Sequence, residues 1–347
     1  IDLHSQSKGV MMMKTVTLIY GDGIGKEVIA AAKAVVEATG ADIAWEIQEA
    51  GAEAAEKYGQ PIDDKVIESI AKNGVALKGP TATPIGKGFR SVNVEIRKRL
   101  DLYVNLRPLR SFQGVDCLYP DLNLTIVREN TEGLYTGIEQ QVTPDHAEAT
   151  KIITRGASER IVEYAFQYAQ KMGKKKVTAI HKANIMKLTD GLFLNCAKEV
   201  AAKYSDIQFN DKIIDAACMD LALNPYAYDV LVAPNLYGDI ISDLGSALVG
   251  GLGVAPGANI GEHAAVFEAV HGSAPDIAGL DVANPIATIL SASMMLRYSF
   301  DLDKEADAIE AAVKQVLKEG YRTVDIMSEG CKQVGCTEMG SLLAERI

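Results

Sequence analysis

Short apolar runs of strand-forming residues alternate with helix-period segments along most of this chain. "KTVTLIY" (14–20) predicts a strand, "KEVIAAAKAVVEA" (26–38) a helix, "DIAWEIQ" (42–48) a strand and "DDKVIESIAKN" (63–73) a helix. The alternation returns in "KKVTAI" (175–180), "DGLFLNCAKEVAAKY" (190–204), "IQFNDKIID" (207–215) and "DVLVAP" (229–234). Strands separated by helices pair in parallel, so the expected fold is α/β, with a largely parallel sheet covered by helices. Between about 123 and 155 the helical period vanishes. There "LNLTIVRE", "GIEQQVT" and "ATKIITRG" read as consecutive strands with polar turns, an antiparallel excursion expected to form an arm and an oligomer interface.

With 347 residues the chain has room for two domains, and no low-complexity linker separates them. Residues 1–13 have neither periodicity nor caps and are expected to be a tag or leader remnant. No apolar run reaches the roughly 18 residues of a membrane span, and nothing near the start reads as a secretory segment. The expected location is therefore the cytoplasm, or an organelle matrix after removal of a transit segment. Five scattered cysteines without a C-x-x-C pair suggest neither a disulfide framework nor a zinc site. A net charge of −11 argues against nucleic acid and anionic membranes as partners. An anionic substrate would then need a concentrated basic pocket.

"YGDGIGKE" (20–27) joins a strand to a helix, but Gly21, Gly23 and Gly25 alternate and do not match the G-x-G-x-x-G of a Rossmann fingerprint. Two readings stay open: a tight strand-to-helix turn, or the edge of a cofactor cleft. "RSVNVEIRKRLDLYVNLRP" (90–108) predicts a helix from Ser91 carrying Asn93 and Arg97, then a strand delivering Arg107. Arg128 ends the strand "LNLTIVR". Arginine suits bidentate clamping of carboxylates, so three converging guanidinium groups would mark a polycarboxylate site. "NLYGDIISDLGSALVGG" (235–251) follows the strand "VLVAP", with "NLYG" read as a tight turn and Asp239 and Asp243 one helical turn apart. Two acids on one face either meet solvent or share a hard dication. Lys182 falls at a strand's carboxyl end, where a nearby dication would ease loss of its proton, and His181 reads as structural.

In order and spacing these motifs, together with "RENTEGLYTGIE", "AIHKANIMKLTDGLF" and "HGSAPDIAGLDVANP", resemble the isocitrate and isopropylmalate dehydrogenase family over roughly residues 14–347. The resemblance implies two α/β domains that are not Rossmann domains. A large domain would comprise 14–104 plus 255–347, and a smaller one 105–254, carrying the antiparallel clasp. It implies Asp239 and Asp243 as ligands for Mg²⁺ or Mn²⁺, with Asp215 from a neighbouring subunit, in a homodimer or higher homo-oligomer with shared sites. Arg97, Arg107 and Arg128 match the family's substrate-carboxylate arginines. Ser91 and Asn93 match the contacts that distinguish isocitrate, where isopropylmalate enzymes carry apolar residues. Tyr135 and Lys182 match the catalytic pair. Cofactor contacts carry over to Thr83, His271, Gly272, Ala274, Asp276, Ile277 and Asn284.

Asp276 can accept hydrogen bonds from both ribose hydroxyls and would repel a 2′-phosphate, so the cofactor implied is NAD. Charges then balance. Three aspartates and a tricarboxylate are offset by three arginines, a divalent ion and Lys182. The expected reaction is NAD-dependent oxidative decarboxylation of isocitrate to 2-oxoglutarate and CO2. Alternatives are a homoisocitrate or isopropylmalate dehydrogenase, or a non-catalytic regulatory subunit of a heteromeric isocitrate dehydrogenase.

Overall fold

The computed structural model describes residues 13–82 and 91–347. The expected α/β architecture is present. Ten strands form one sheet, in the order β2 (Ile43–Gln48), β1 (Lys14–Ile19), β3 (Val75–Lys78), β12 (Ala265–Phe267), β11 (Ala258–Ile260), β4 (Val104–Arg110), β5 (Asn123–Glu129), β10 (Val230–Ala233), β8 (Lys176–His181) and β9 (Gln208–Ile213). The outer four strands on each side pair in parallel within their block. Around β11 and β4 the pairing turns antiparallel, so the two blocks run in opposite directions.

Helices cover both faces. They are α1 (Gly25–Ala38), α2 (Ala52–Tyr58), α3 (Asp64–Asn73), α4 (Val92–Arg99), α5 (Arg155–Lys171), α6 (Thr189–Ala201), α7 (Ile214–Leu223), α8 (Asn235–Leu248), α9 (Ile286–Phe300), α10 (Asp303–Lys318) and α11 (Cys336–Ala344). Strand β10 is apolar throughout and β3 is apolar up to Lys78, as burial on both faces favours. None of the described helices is long and apolar enough to cross a membrane.

The antiparallel excursion differs from its expected form. "LNLTIVRE" becomes β5 inside the main sheet, where it pairs with β4. Only β6 (Glu139–Thr143) and β7 (His146–Ala149) form the separate hairpin, and every residue of both strands is exposed. "ATKIITRG" is not a strand past Ala149: Ile152 makes one isolated bridge to Gly133, and Thr154 then caps α5 by accepting from the Ala157 N–H. "NLYG" is likewise no turn, since α8 begins at Asn235 directly after Pro234.

Candidate active site

At the sheet's centre the strand period of two puts polar groups on one face. Asn105 and Arg107 share a face of β4, Arg128 pairs with Asn105 across β5, and Asn259 pairs with Asn105 across β11. All four side chains are buried, in positions where a sheet ordinarily carries Val or Leu. Three of them are joined in a row that ends on Glu268. Arg107 Nε donates to Asn105 Oδ1 at 2.6 Å, Asn105 Nδ2 to Asn259 Oδ1 at 2.8 Å, and Asn259 Nδ2 to Glu268 Oε1 at 2.8 Å. Glu268 also pairs with Lys78 at 2.6 Å and with Arg97 at 3.4 Å, so one network runs between two of the expected arginines.

Helix α8 lies over this face and completes the third arginine's surroundings. The Arg128 guanidinium donates to Asn235 Oδ1 at 2.7 and 2.9 Å, pairs with Asp239, and stacks 5.0 Å from the Tyr135 ring. Arg107 reaches Ser242 Oγ and lies 3.6 Å from Asp239 and 3.5 Å from Asp243. The Tyr135 hydroxyl donates to Asp239 Oδ2. Such close approach is possible because position 238 has no side chain: a Cβ there would lie 2.5 Å from Arg128 Cγ.

Electrostatics follow from burial and pairing. Burial draws the Arg107 pKa down to about 10, with Arg128 adding repulsion, so the group is still charged at neutral pH. Burial alone would raise the Asp239 carboxyl; Arg128, the Tyr135 hydroxyl and Arg107 outweigh it and hold the pKa below the ordinary range. Tyr135 is pushed the other way, by burial and by its bond to Asp239, and keeps its proton.

These side chains surround a cavity of about 250 Å³. Ser91, Asn93, Arg97, Arg107, Arg128, Tyr135 and Asp239 line it, with Thr81, Val94, Glu268, His271 and Gly272. Of the charged groups that line it, Arg97, Arg107 and Arg128 oppose Asp239 and Glu268, a surplus of one positive charge. Arg97 Nε has no partner among the described residues. An anion with several carboxylates fits this wall.

Lys182 and Asp215 pair with each other, and neither lines the cavity. The hydrogen bond from Lys182 lowers the Asp215 pKa. Among the described residues of one chain, no group of three His, Cys, Asp or Glu is arranged to hold a metal. Asp239 and Asp243 nonetheless supply oxygen donors on one face of α8, the donor type that Mg²⁺ and Mn²⁺ take.

All but Thr83 of the residues expected to hold the cofactor follow β12. Gly272 and His271 reach the cavity, and Asp276 is exposed in the turn Pro275–Ile277 behind Ala274, whose φ is 38°. Burial lowers the His271 pKa, leaving it neutral. The glycine-rich turn backs this loop: Ile24 N–H donates to the Ser273 carbonyl at 2.9 Å, and a Cβ on Gly23 would meet that oxygen at 2.0 Å. Asn284 spends its side chain inside the chain, accepting from Ile286 N–H at 3.0 Å and donating to Asp325 at 3.1 Å. Thr83 lies outside the described residues.

Sequence reasoning missed Lys78, Glu268, Asn105 and Asn259. Lys78 ends β3 and Glu268 follows β12, whereas Asn105 and Asn259 lie within β4 and β11; a polar residue in or beside a buried strand was the available signal.

The family model for isocitrate/isopropylmalate dehydrogenase matches residues 15–343. A probable mitochondrial NAD isocitrate dehydrogenase subunit alpha from Drosophila melanogaster is 49% identical over 318 residues, 90% of this chain and 83% of the relative. A 3-isopropylmalate dehydrogenase from Archaeoglobus fulgidus is 47% identical over 331 residues, 95% of this chain and 100% of the relative. The crystal structure of isocitrate dehydrogenase from Methylococcus capsulatus superposes with a TM-score of 0.92 at 49% identity, covering 96% of this chain and 99% of that one.

Proposed function

The chain belongs to the isocitrate/isopropylmalate dehydrogenase family, and we propose that within it the reaction is NAD-dependent oxidative decarboxylation of isocitrate to 2-oxoglutarate and CO2. The observation that carries this choice is the polar wall of the cavity, where Ser91 and Asn93 stand beside three arginines. A third carboxylate would be accepted there, whereas an isopropyl group would set the Asn93 Nδ2 and the Arg97 Nε, which has no partner among the described residues, against hydrocarbon.

Arg97, Arg107 and Arg128 bind the substrate carboxylates and orient them. Asp239 and Asp243 of one copy, with Asp215 of a second, would hold the divalent ion. When bound, that ion supplies Lewis-acid polarisation of the 2-hydroxyl, and NAD supplies the hydride acceptor. Lys182 takes the hydroxyl proton. After oxidation at C2 the bond from C3 to its carboxyl group breaks, CO2 leaves, and Tyr135 returns a proton to C3. The burial and bonding that keep Tyr135 protonated suit that donor role. Asp276 accepts hydrogen bonds from the adenosine ribose.

Separation of Lys182 and Asp215 from the cavity supports sharing of sites between copies. So does the apolar surface near them, where Ile185, Leu188, Met219, Leu223 and Ile240 are all exposed, as are Ile138 and Val142 at the hairpin. The division into a large domain (14–104 plus 255–347) and a small one (105–254) is supported by the strand order: β1–β3, β11 and β12 fall on one side of the sheet, β4, β5 and β8–β10 on the other.

An isopropylmalate dehydrogenase is the second reading, favoured by Val94 on the cavity wall and by the Archaeoglobus relative. A regulatory subunit could dispense with the arginines, Tyr135 and the aspartates, all of which are retained. Absorbance of NADH formed from isocitrate, homoisocitrate, isopropylmalate and D-malate, with Mg²⁺, separates these readings. The highest kcat/KM is expected on isocitrate, with activity lost on chelation. Higher kcat/KM on isopropylmalate overturns the substrate choice.

A further inference from the structure

Asp190, at the start of α6, has no solvent exposure, yet the carboxylate is fully engaged. Its Oδ2 accepts from the Lys182 main-chain N–H at 2.8 Å and from the Tyr237 hydroxyl at 2.9 Å, while Oδ1 pairs with the Lys151 ammonium. Lys151 in turn lies 3.3 Å from the Tyr237 hydroxyl and 4.6 Å from its ring centre. A charge buried this deeply is costly unless its partners are held in place, so the cluster is rigid as a unit.

The unit grips Lys182. Its N–H is held by Asp190; the following N–H, of Ala183, donates to His181 Nδ1 at 3.0 Å; its carbonyl accepts from Ile185 at 3.0 Å and Met186 at 2.9 Å. His181 Nε2 faces Asp211 at 2.9 Å, which fixes the tautomer that leaves Nδ1 free to accept. Main chain is therefore anchored on both sides of a lysine whose side chain reaches outward to Asp215. Tyr237 stands two residues before Asp239 on α8, and Lys151 follows the hairpin, so one carboxylate ties three segments together.

We propose that Asp190 is a positioning residue, fixing Lys182 relative to α8 through the Tyr237–Lys151 cluster; this rests on the reading of Lys182 as proton acceptor. On the shared-site reading, Lys182 serves the neighbouring copy's cavity and Asp239 its own. Asp190 thereby couples the parts of one chain that work in two cavities.

The test is steady-state NADH formation from isocitrate with saturating Mg²⁺ and NAD, in Asp190→Ala, Asp190→Asn and Lys182→Met, together with the deuterium isotope effect at C2. A catalytic group displaced by about an ångström costs on the order of 10²-fold, so Asp190→Ala is expected to lower kcat by roughly 10- to 100-fold. KM for isocitrate should hold within about twofold, because the arginines are untouched. Asp190→Asn keeps an acceptor for the Lys182 N–H and should recover part of kcat, and adding Lys151→Met, which removes the unpaired cation, should recover more. The isotope effect should rise in Asp190→Ala as oxidation becomes rate-limiting.

Unchanged kcat in folded Asp190→Ala, or a loss confined to thermal stability, overturns the proposal. Should Asp190→Ala fail to fold, Asp190→Asn and Tyr237→Phe are read instead: lowered kcat at constant KM supports it, and wild-type kcat in both overturns it. Full activity in Lys182→Met would instead remove the reading beneath. Inactive Lys182→Met beside fully active Asp190→Ala sinks this inference alone.

Discussion

Glu268 is the acid on which the cavity's polar network converges, and its titration is set by neighbours. Burial raises its pKa, but Lys78 and Arg97 more than compensate, and the folded carboxyl titrates below its ordinary range. The stabilisation is thus fully present above the unfolded pKa of roughly 4.3 and is lost as pH falls through the lower folded value. Glu268→Gln should flatten that acid limb in urea titrations and, by leaving Lys78 buried without its counter-ion, cost about 3–5 kcal/mol at pH 7. On the proposed function, cofactor choice likewise turns on single residues. Asp276 is exposed in its turn and free to face a ribose. Asp276→Lys with Ile277→Tyr should shift the NADP-to-NAD ratio of kcat/KM by about tenfold or more, ~1.4 kcal/mol; an unchanged ratio would show that this loop does not read the ribose. Asp276 stood out only through the family resemblance, because an aspartate in a turn is ordinary on its own. Lys78 and Glu268 were hidden, because a lysine after "VAL" and a glutamate after "AVF" each look like an ordinary strand end until the fold sets them 2.6 Å apart.

Among the elements, α8 does the most to shape the site. Its two interior glycines each cost about 1 kcal/mol of helix propensity relative to alanine. Both permit close approach: a Cβ on Gly238 would lie 2.6 Å from Arg128 Cβ, and one on Gly245 would lie 2.3 Å from a Leu109 methyl. Gly238→Ala should therefore push α8 from Arg128, destabilise by about 1–3 kcal/mol and raise KM for the acid substrate. Gly245→Ala, which meets only the end of a leucine side chain, should cost less and leave KM near wild type. Thermal melts and initial rates distinguish the two. Periodicity located α8 but not its start, because Asn and Gly in "NLYG" carry turn propensity and the reason for that glycine lies on another strand. The same limit explains "ATKIITRG". Its apolar residues promised a strand, but no neighbouring strand extends far enough to pair beyond Ile152, and Thr154 is used as a helix cap.

Across the whole molecule the question is whether the site takes residues from a second copy. Lys182 and Asp215 lie apart from the cavity, amid exposed apolar side chains that include Leu188 at 87% exposure. If two copies exchange these residues, Lys182→Met and Asp239→Asn should each be inactive alone. Mixed by co-refolding, half of the dimers would carry one intact site, giving ~25% of wild-type activity for a two-fold assembly. No recovery, with heterodimers verified by mass, would sink the shared site.

Local pattern located β1, β2, β4–β6 and β8–β10, five of the eleven described helices (α1, α3, α4, α6 and α8), the arginine-bearing segments and the i,i+4 acid pair, because period and residue chemistry are written along the chain. Only the tertiary structure decided that Asn105, Arg107, Arg128 and Asn259 share one face at the point where the sheet reverses direction. Likewise it set Glu268 between Lys78 and Arg97, and Asp190 beneath Lys182. Those juxtapositions join residues up to 190 positions apart (Lys78 to Glu268), and their energy comes from desolvated charges finding partners, which no local stretch of sequence encodes.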